Sequence, residues 1–150
     1  MTATPQALQC VARRLHHVAI AVESLASARA VYEGAFGMSA SEIEFVPGQK
    51  VNVLVLYAGT QRVELVEPVG EDSPIRNFLV KRGPGIHHLA WEVENCEQAI
   101  ARLKAAGVAL IDEVPKPGAH GTRIAFVHPK ATGGVLMELV EDPHADTSHA

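Results

Sequence analysis

Four side chains of types that bind metals stand inside otherwise apolar stretches of this 150-residue chain. They are His17 in LHHVAIAV, Glu64 in VELVE, His88 in IHHLAWEV and Glu138 in MELVE. An isolated carboxylate in an apolar strand costs several kcal/mol, so each glutamate needs a cation, a hydrogen-bond network or a wet cleft. Two neutral imidazoles and two carboxylates would balance one divalent ion and leave two octahedral positions for water or substrate.

The four residues recur at similar offsets, which indicates an internal duplication. His88 follows His17 by 88 − 17 = 71 residues, and Glu138 follows Glu64 by 138 − 64 = 74. A repeat of this length predicts two copies of one supersecondary unit. If the copies pack about a pseudo-twofold axis, each brings one imidazole and one carboxylate to it.

Apolar periodicity predicts the same order of elements in both copies. Strands are expected at 15–23 and 86–94, each followed by a helix that begins after Ser24 or Asn95, and then by three extended runs. These runs are at 41–46, 50–57 and 61–67, and at 108–114, 122–128 and 135–141. Strand alternation places His17 and His88 on the concave face, with His16 and His87 on the helix-packed face or at a strand end.

The predicted fold class is α+β, with two tandem βαβββ modules that form a curved, partly closed mixed sheet around a central metal site. The predicted organisation is a flexible N-terminal tail (1–14), one domain (15–141) and a flexible C-terminal tail (142–150). The domain is divided into module one (15–70), a linker helix (71–84) and module two (85–141). His144 and His149 are expected to be disordered solvent groups in the second tail.

Charge and composition exclude several classes of protein. The formal net charge is −4 and the 13 lysines and arginines are scattered, which disfavours nucleic acid as a partner. No stretch approaches the ~20 apolar residues of a membrane helix. For this reason we expect no membrane partner. Cys10 and Cys96 do not make a disulfide framework, which favours a reducing compartment, and so we expect a protein of the cytoplasm.

At these residues the chain resembles the vicinal oxygen chelate superfamily, which includes glyoxalases, bleomycin resistance proteins and dioxygenases. Within it, the chain is most similar to the methylmalonyl-CoA epimerase family, over about residues 15–141. The similarity also rests on motifs outside the four polar residues: EDSPIRNFL at 71–79, GAHG at 118–121, HPK at 128–130 and GGVLMEL at 133–139. GAHG alone would be a weak signal, because many small glycine loops serve a turn.

The resemblance implies a function and a site. The implied activity is epimerisation of methylmalonyl-CoA, in which a proton is removed at carbon 2 through a metal-stabilised enolate, in a protein that forms a homodimer. The implied metal ligands are His17, Glu64, His88 and Glu138, and Glu138 is also the implied catalytic proton carrier. The implied ion is cobalt, with zinc, nickel, manganese and iron compatible with the same ligands. Contacts with the acyl-CoA substrate are expected from Gly118, Ala119, His120, Gly121 and Lys130.

Two points stay open at this level. Some epimerases of the family carry a second glutamate where this chain has Val53, so the proton carrier of the opposite face could be Glu44, His120, a water on the ion or a mobile Glu138. The alternative functions are a glyoxalase I-like lactoylglutathione lyase and a metal-free binding module of the same fold. Extradiol dioxygenases use two histidines and one glutamate, and the additional Glu64 argues against that class.

Overall fold

The computed structural model describes residues 11–144, and within them the strands form one sheet. The strands are β1 (Arg14–Ala21), β2 (Ser39–Ala40), β3 (Glu44–Val46), β4 (Val51–Ala58), β5 (Gln61–Pro68), β6 (Gly85–Glu92), β7 (Lys116–Pro117), β8 (Arg123–Val127) and β9 (Met137–Glu141). Their spatial order is β2-β4-β5-β1-β6-β9-β8-β7, and β3 pairs with β4 beside β2.

The pairing directions reveal the duplication. β1 pairs in parallel with β5, and β6 pairs in parallel with β9, whereas β1 and β6 pair antiparallel at the centre. The sheet therefore consists of a first half (β1 to β5) and a second half (β6 to β9) with the same local topology. The predicted α+β fold with a curved mixed sheet is confirmed.

Three helices connect the strands, each begun by a side-chain cap. They are α1 (Leu25–Arg29), which continues as a π-helical turn (Ala30–Ala35), α2 (Pro74–Arg82) and α3 (Cys96–Ala105). The residues before them, Ser24, Ser73 and Asn95, accept hydrogen bonds from backbone N–H groups of the first turn. Val31 and Phe36 follow Leu25 at helical spacing, which predicts one regular helix that buries them. This prediction is wrong, because the wider π turn rotates that face and leaves both side chains exposed.

Matching glutamates hold the starts of α1 and α3. The Leu25 N–H donates to Glu67 Oε2 (2.8 Å), and the Cys96 N–H donates to Glu141 Oε1 (2.8 Å). Each glutamate stands three residues after a predicted metal ligand, Glu64 or Glu138, and therefore on the opposite face of its strand. The segments VELVE and MELVE thus send one carboxylate inward and one to a helix N-terminus, where the helix dipole stabilises it.

The predicted strand at 108–114 is not formed. Within that stretch a single bridge joins Leu110 to Val127, and the next strand is the two-residue β7. Gly107 ends α3 with φ of +81°, and Pro115 supplies no N–H for a ladder, so regular pairing is limited to a short piece.

The ends of the described chain are held more tightly than expected. The Arg13 N–H donates to the Glu92 carbonyl (2.8 Å), and the Arg13 guanidinium lies 3.4 Å from the Glu92 carboxylate. At the other end, the Asp142 side chain is 7% exposed and binds His16. These parts of the two predicted tails, 1–14 and 142–150, are therefore packed on the sheet. Cys10 and His149 lie outside the described residues.

None of the helices in residues 11–144 has the length and apolar character that crossing a membrane requires.

Candidate metal centre and acyl-binding cavity

The strand register places the four predicted ligands symmetrically on four adjacent strands, β5, β1, β6 and β9. Across the central pair, His17 is opposite Ala90 and Ala19 is opposite His88. In the parallel pairs, Ala19 is the partner of Glu64 and Ala90 is the partner of Glu138. In each half, the carboxylate is therefore paired with the residue two positions after the histidine.

Three of these side chains converge in the interior. Glu138 Oε1 lies 3.4 Å from His17 Nε2 and 3.6 Å from His88 Nε2, and the two imidazole rings are 5.5 Å apart at a steep angle. All three residues are at most 5% exposed. A ligand atom from each lies within 4.8 Å of the others, so the three residues form a group that could hold a metal ion.

The two converging nitrogens are buried atoms without a hydrogen-bond partner among the described residues. Neither His17 Nε2 nor His88 Nε2 has a partner that satisfies hydrogen-bond geometry. Buried polar nitrogens are almost always paired, and an orphan requires an explanation. Two orphan imidazole nitrogens directed at one carboxylate fit the donor set of a borderline divalent metal.

A hydrogen-bond chain sets the tautomer of His17. His16 Nε2 lies 2.8 Å from Asp142 Oδ2, and a carboxylate only accepts, so this nitrogen of His16 carries the proton. When His16 is neutral, its Nδ1 is an acceptor, and it lies 2.7 Å from His17 Nδ1. His17 then donates from Nδ1 and keeps a lone pair on Nε2, the atom that faces Glu138. Burial lowers the pKa of His16 and, more strongly, that of His17, which favours these neutral rings.

Glu64 stands on the other side of the His17 ring. Its Oε2 lies 3.1 Å from His17 Nδ1, so its carboxylate is beside the group of His17, His88 and Glu138 rather than within it. Burial, followed by the nearby charge of Glu138, raises the pKa of Glu64 to about 8. Two carboxylates that share one buried site favour a bound proton or cation that reduces their repulsion.

The prediction that His16 lies away from the site is wrong. A register shift between Leu15 and His17 forms a bulge in β1, which interrupts the alternation of side chains and turns His16 to the same cavity as His17. His87 behaves as predicted: its ring packs against Phe78 of α2 at 4.9 Å. His144 is exposed, as expected of a solvent group, although it borders the cavity and its N–H donates to Asp142 Oδ1 (2.9 Å).

The group of His17, His88 and Glu138 lines a cavity of about 220 Å³ that both halves build. Its wall beside the polar residues is apolar and comes from several strands: Val46, Val53, Val55, Val66, Ile124 and Val140. The loop after β7 lines the cavity with Gly118, Ala119 and His120. A small apolar acyl group could therefore contact the wall while polar atoms face the ligand cluster.

The cavity loop depends on one glycine and is held by the first half. A Cβ on Gly118 would lie 2.5 Å from Thr122 Oγ1 and 2.8 Å from Ile124 Cγ2, so only glycine fits there. His120 adopts a left-handed conformation (φ 58°) and its N–H donates to Glu44 Oε1 (3.1 Å). This hydrogen bond brings together two of the predicted candidates for the second proton carrier, Glu44 and His120. Glu44 is also the register partner of Val53.

Two of the predicted substrate contacts are not among the residues that line this cavity. Gly121 follows His120 with φ of +72° and completes the turn. Lys130 is exposed on a short 3₁₀ turn (Pro129–Ala131), where its backbone N–H donates to His128 Nδ1 (3.1 Å).

Sequence reasoning missed Arg62, the one arginine or lysine that lines the cavity in the described part of the chain. Arg62 precedes Glu64 by two residues on β5 and therefore shares its face. The alternation that identified Glu64 could have identified Arg62 as well. Asp142 carries no such signal, because it follows the last strand.

Comparison with known proteins places the chain among proteins of this architecture. Residues 16–126 match the Glyoxalase/Bleomycin resistance protein/Dioxygenase superfamily. The mitochondrial methylmalonyl-CoA epimerase of Homo sapiens is 43% identical over 127 residues, which are 84% of this chain and 72% of the human protein. The ethylmalonyl-CoA/methylmalonyl-CoA epimerase of Cereibacter sphaeroides is 42% identical over 128 residues, which are 84% of this chain and 96% of that protein.

A solved structure agrees with these relatives. The Streptomyces coelicolor methylmalonyl-CoA epimerase in complex with 2-nitronate-propionyl-CoA, an S-to-T variant, superimposes with a TM-score of 0.86. It is 30% identical, and the match covers 91% of this chain and 99% of that structure.

Proposed function

The chain belongs to the methylmalonyl-CoA epimerase family of the glyoxalase/bleomycin resistance protein/dioxygenase superfamily, and from this premise we propose that it is an isomerase that interconverts the 2R and 2S forms of methylmalonyl-CoA. The reaction breaks the carbon–hydrogen bond at carbon 2 and forms it again on the opposite face of the same carbon. The single observation that carries the proposal is the convergence of two imidazole nitrogens, which have no hydrogen-bond partner within residues 11–144, on the buried Glu138 carboxylate inside an acyl-sized cavity.

The ligand atoms support a divalent ion as cofactor. His17 Nε2, His88 Nε2 and a Glu138 oxygen would hold it, and we propose the nearby Glu64 as the fourth ligand. By family resemblance the ion is cobalt, with zinc, nickel, manganese and iron as alternatives. When bound, such an ion would act as a Lewis acid that stabilises the negative charge of an enolate.

The residues of the chain would carry the proton transfers. Glu138 accepts the proton from carbon 2, which requires its free oxygen to come within about 3 Å of that carbon. The apolar wall around Val53 and Val55 keeps water away from the enolate, so that water does not protonate it. The proton returns to the opposite face of carbon 2. Glu44 and His120, which lie together at the cavity loop, are the proposed donors of that proton.

Substrate contacts are proposed for the loop Gly118–His120, whose backbone borders the cavity. Gly121 is proposed to shape the loop rather than to touch the acyl group. The position of Lys130 outside the cavity lends no support to its proposed contact with coenzyme A. A homodimer and a location in the cytoplasm complete the proposal, the former by family resemblance and the latter from the sequence.

The decisive experiment follows carbon 2 in deuterated buffer. Protein purified without added metal is analysed for its elements, and then incubated with (2R)-methylmalonyl-CoA in D₂O. We expect a divalent metal near one equivalent, deuterium at carbon 2 and formation of the 2S form. The same preparation is incubated with methylglyoxal and glutathione.

The results separate the alternatives. Turnover of the glutathione adduct without exchange at carbon 2 would assign a glyoxalase I-like lyase instead. Tight binding of the thioester with no exchange and no metal would assign a passive binding module.

A further inference from the structure

The cavity contains one permanently positive group, and it is placed beside the metal-binding cluster. Its other ionisable lining residues in the described chain are carboxylates, histidines and one tyrosine, Tyr57. Arg62 stands two residues before Glu64 on β5, so their Cα atoms are about 7 Å apart on one face. Across the ladder the partner of Arg62 is Tyr57, which lines the same cavity.

The hydrogen-bonding capacity of this guanidinium is largely unused. Its nearest partner in the described chain is Asp142 Oδ2, at 3.8 Å, which is too long for a hydrogen bond. Asp142 is already engaged by His16 Nε2 at Oδ2 and by the His144 N–H at Oδ1. Arg62 is therefore held near a counter-charge, while no residue in 11–144 accepts a hydrogen bond from its guanidinium, and its side chain is 26% exposed.

An arginine of this kind suits a carboxylate ligand. The guanidinium presents parallel N–H donors that match the two oxygens of a carboxylate, and it stays charged at every physiological pH.

We propose that Arg62 binds the free carboxylate of the malonyl-type acyl group and makes the site selective for acyl-CoA thioesters that carry this second negative charge. The inference rests on the proposed function and deepens it. Removal of the proton at carbon 2 places an enolate next to that carboxylate, and a fixed cation offsets the repulsion between the two charges. Arg62 is thus a specificity-determining residue.

The test compares two thioesters that differ only in this carboxylate. Malonyl-CoA and propionyl-CoA are titrated calorimetrically against the full chain as purified, against Arg62→Met and against Arg82→Met. We expect Arg62→Met to weaken malonyl-CoA about 10- to 100-fold while propionyl-CoA changes less than about threefold. Arg82 is exposed outside this cavity, and Arg82→Met should leave the ratio of the two dissociation constants unchanged.

Each outcome has one meaning. Equal losses of affinity for both thioesters would assign Arg62 to the phosphates of coenzyme A and overturn the inference. If the parent protein epimerises methylmalonyl-CoA and Arg62→Met leaves both dissociation constants unchanged, the inference is also overturned. If the parent neither binds malonyl-CoA nor exchanges carbon 2 of methylmalonyl-CoA, the proposed function fails, and this inference fails with it. Arg62→Lys keeps the charge and loses the fork, so it decides the question if Arg62→Met does not fold: we expect a malonyl-specific loss of about three- to tenfold.

Discussion

The first half of the chain holds its histidine differently from the second. His17 is connected through His16 to the Asp142 carboxylate, whereas His88 is connected to His87, whose ring packs against Phe78. The strand registers around the two histidines are the same, so the duplication preserves the strand positions of the predicted ligands. What supports those atoms is polar and charged in one half and aromatic in the other.

The two carboxylates show a second contrast. Glu138 lies near both imidazoles, while Glu64 lies 3.1 Å from His17 Nδ1, the nitrogen that does not face Glu138, and shares its strand face with Arg62. In the second half, the residue two positions before Glu138 is Leu136. The second half thus supplies the carboxylate nearest the predicted metal, and the first half supplies the charged environment that would select the substrate.

The largest expected effect breaks the equivalence of the two glutamates. Glu138→Gln should lower the rate of deuterium incorporation at carbon 2 by at least about 100-fold, because an amide can occupy the place of a ligand but cannot accept the proton. Glu64→Gln should reduce the rate of deuterium incorporation by a smaller factor. Exchange measured by mass spectrometry, in variants with matched metal content, checks this; normal exchange in metal-loaded Glu138→Gln would remove Glu138 as the base.

The support of His17 is tested next. Asp142→Asn removes the carboxylate that fixes the tautomer of His16, and so we expect metal affinity to fall about 10- to 100-fold. Competition with a chromophoric chelator measures the affinity. Asp72→Asn, at an ion pair with Lys50 on the surface, is the matched control and should leave affinity unchanged. An unaltered affinity in Asp142→Asn would mean that the two halves hold their histidines equally well without it.

The cavity loop that the second half lends to the first gives a smaller effect. Gly118→Ala places a methyl group against Thr122 and Ile124, and should lower the free energy of unfolding by about 1–3 kcal/mol. Gly48→Ala is the control, because a Cβ there meets no atom within 4 Å. Urea denaturation of both variants checks the difference, and equal midpoints would show that the loop tolerates the methyl group.

The smallest effect concerns the two helix starts, where the halves are most alike. Glu67→Gln and Glu141→Gln each keep an acceptor oxygen but remove the charge at the N-terminus of α1 or α3, for which we expect a loss of about 0.3–1 kcal/mol. The two losses should agree within about 0.5 kcal/mol in urea denaturation. A clear difference would show that the salt bridge of Glu141 with Arg123 has a separate role.

The sequence was sufficient for the features that repeat. The duplicated HH and E positions predicted that His17 and His88, and Glu64 and Glu138, occupy equivalent places in the two halves, because alternation and symmetry are properties of the local pattern. It was insufficient where one residue depends on a distant one. The turn of His16 toward the cavity follows from a bulge against β6, and the role of Asp142 follows from the chain folding back after β9. The widened turn after α1 likewise left no signal in the spacing of Val31 and Phe36.

The neighbouring strands β5, β1, β6 and β9 each contribute one of the four predicted ligands, and so an ion bound by all four would clamp the middle of the sheet from both halves of the chain. Binding that favours only the folded form adds directly to its stability. The atoms that would hold the ion would then also connect the two duplicated halves, and removal of the metal would weaken the contact between β1 and β6, where the halves meet.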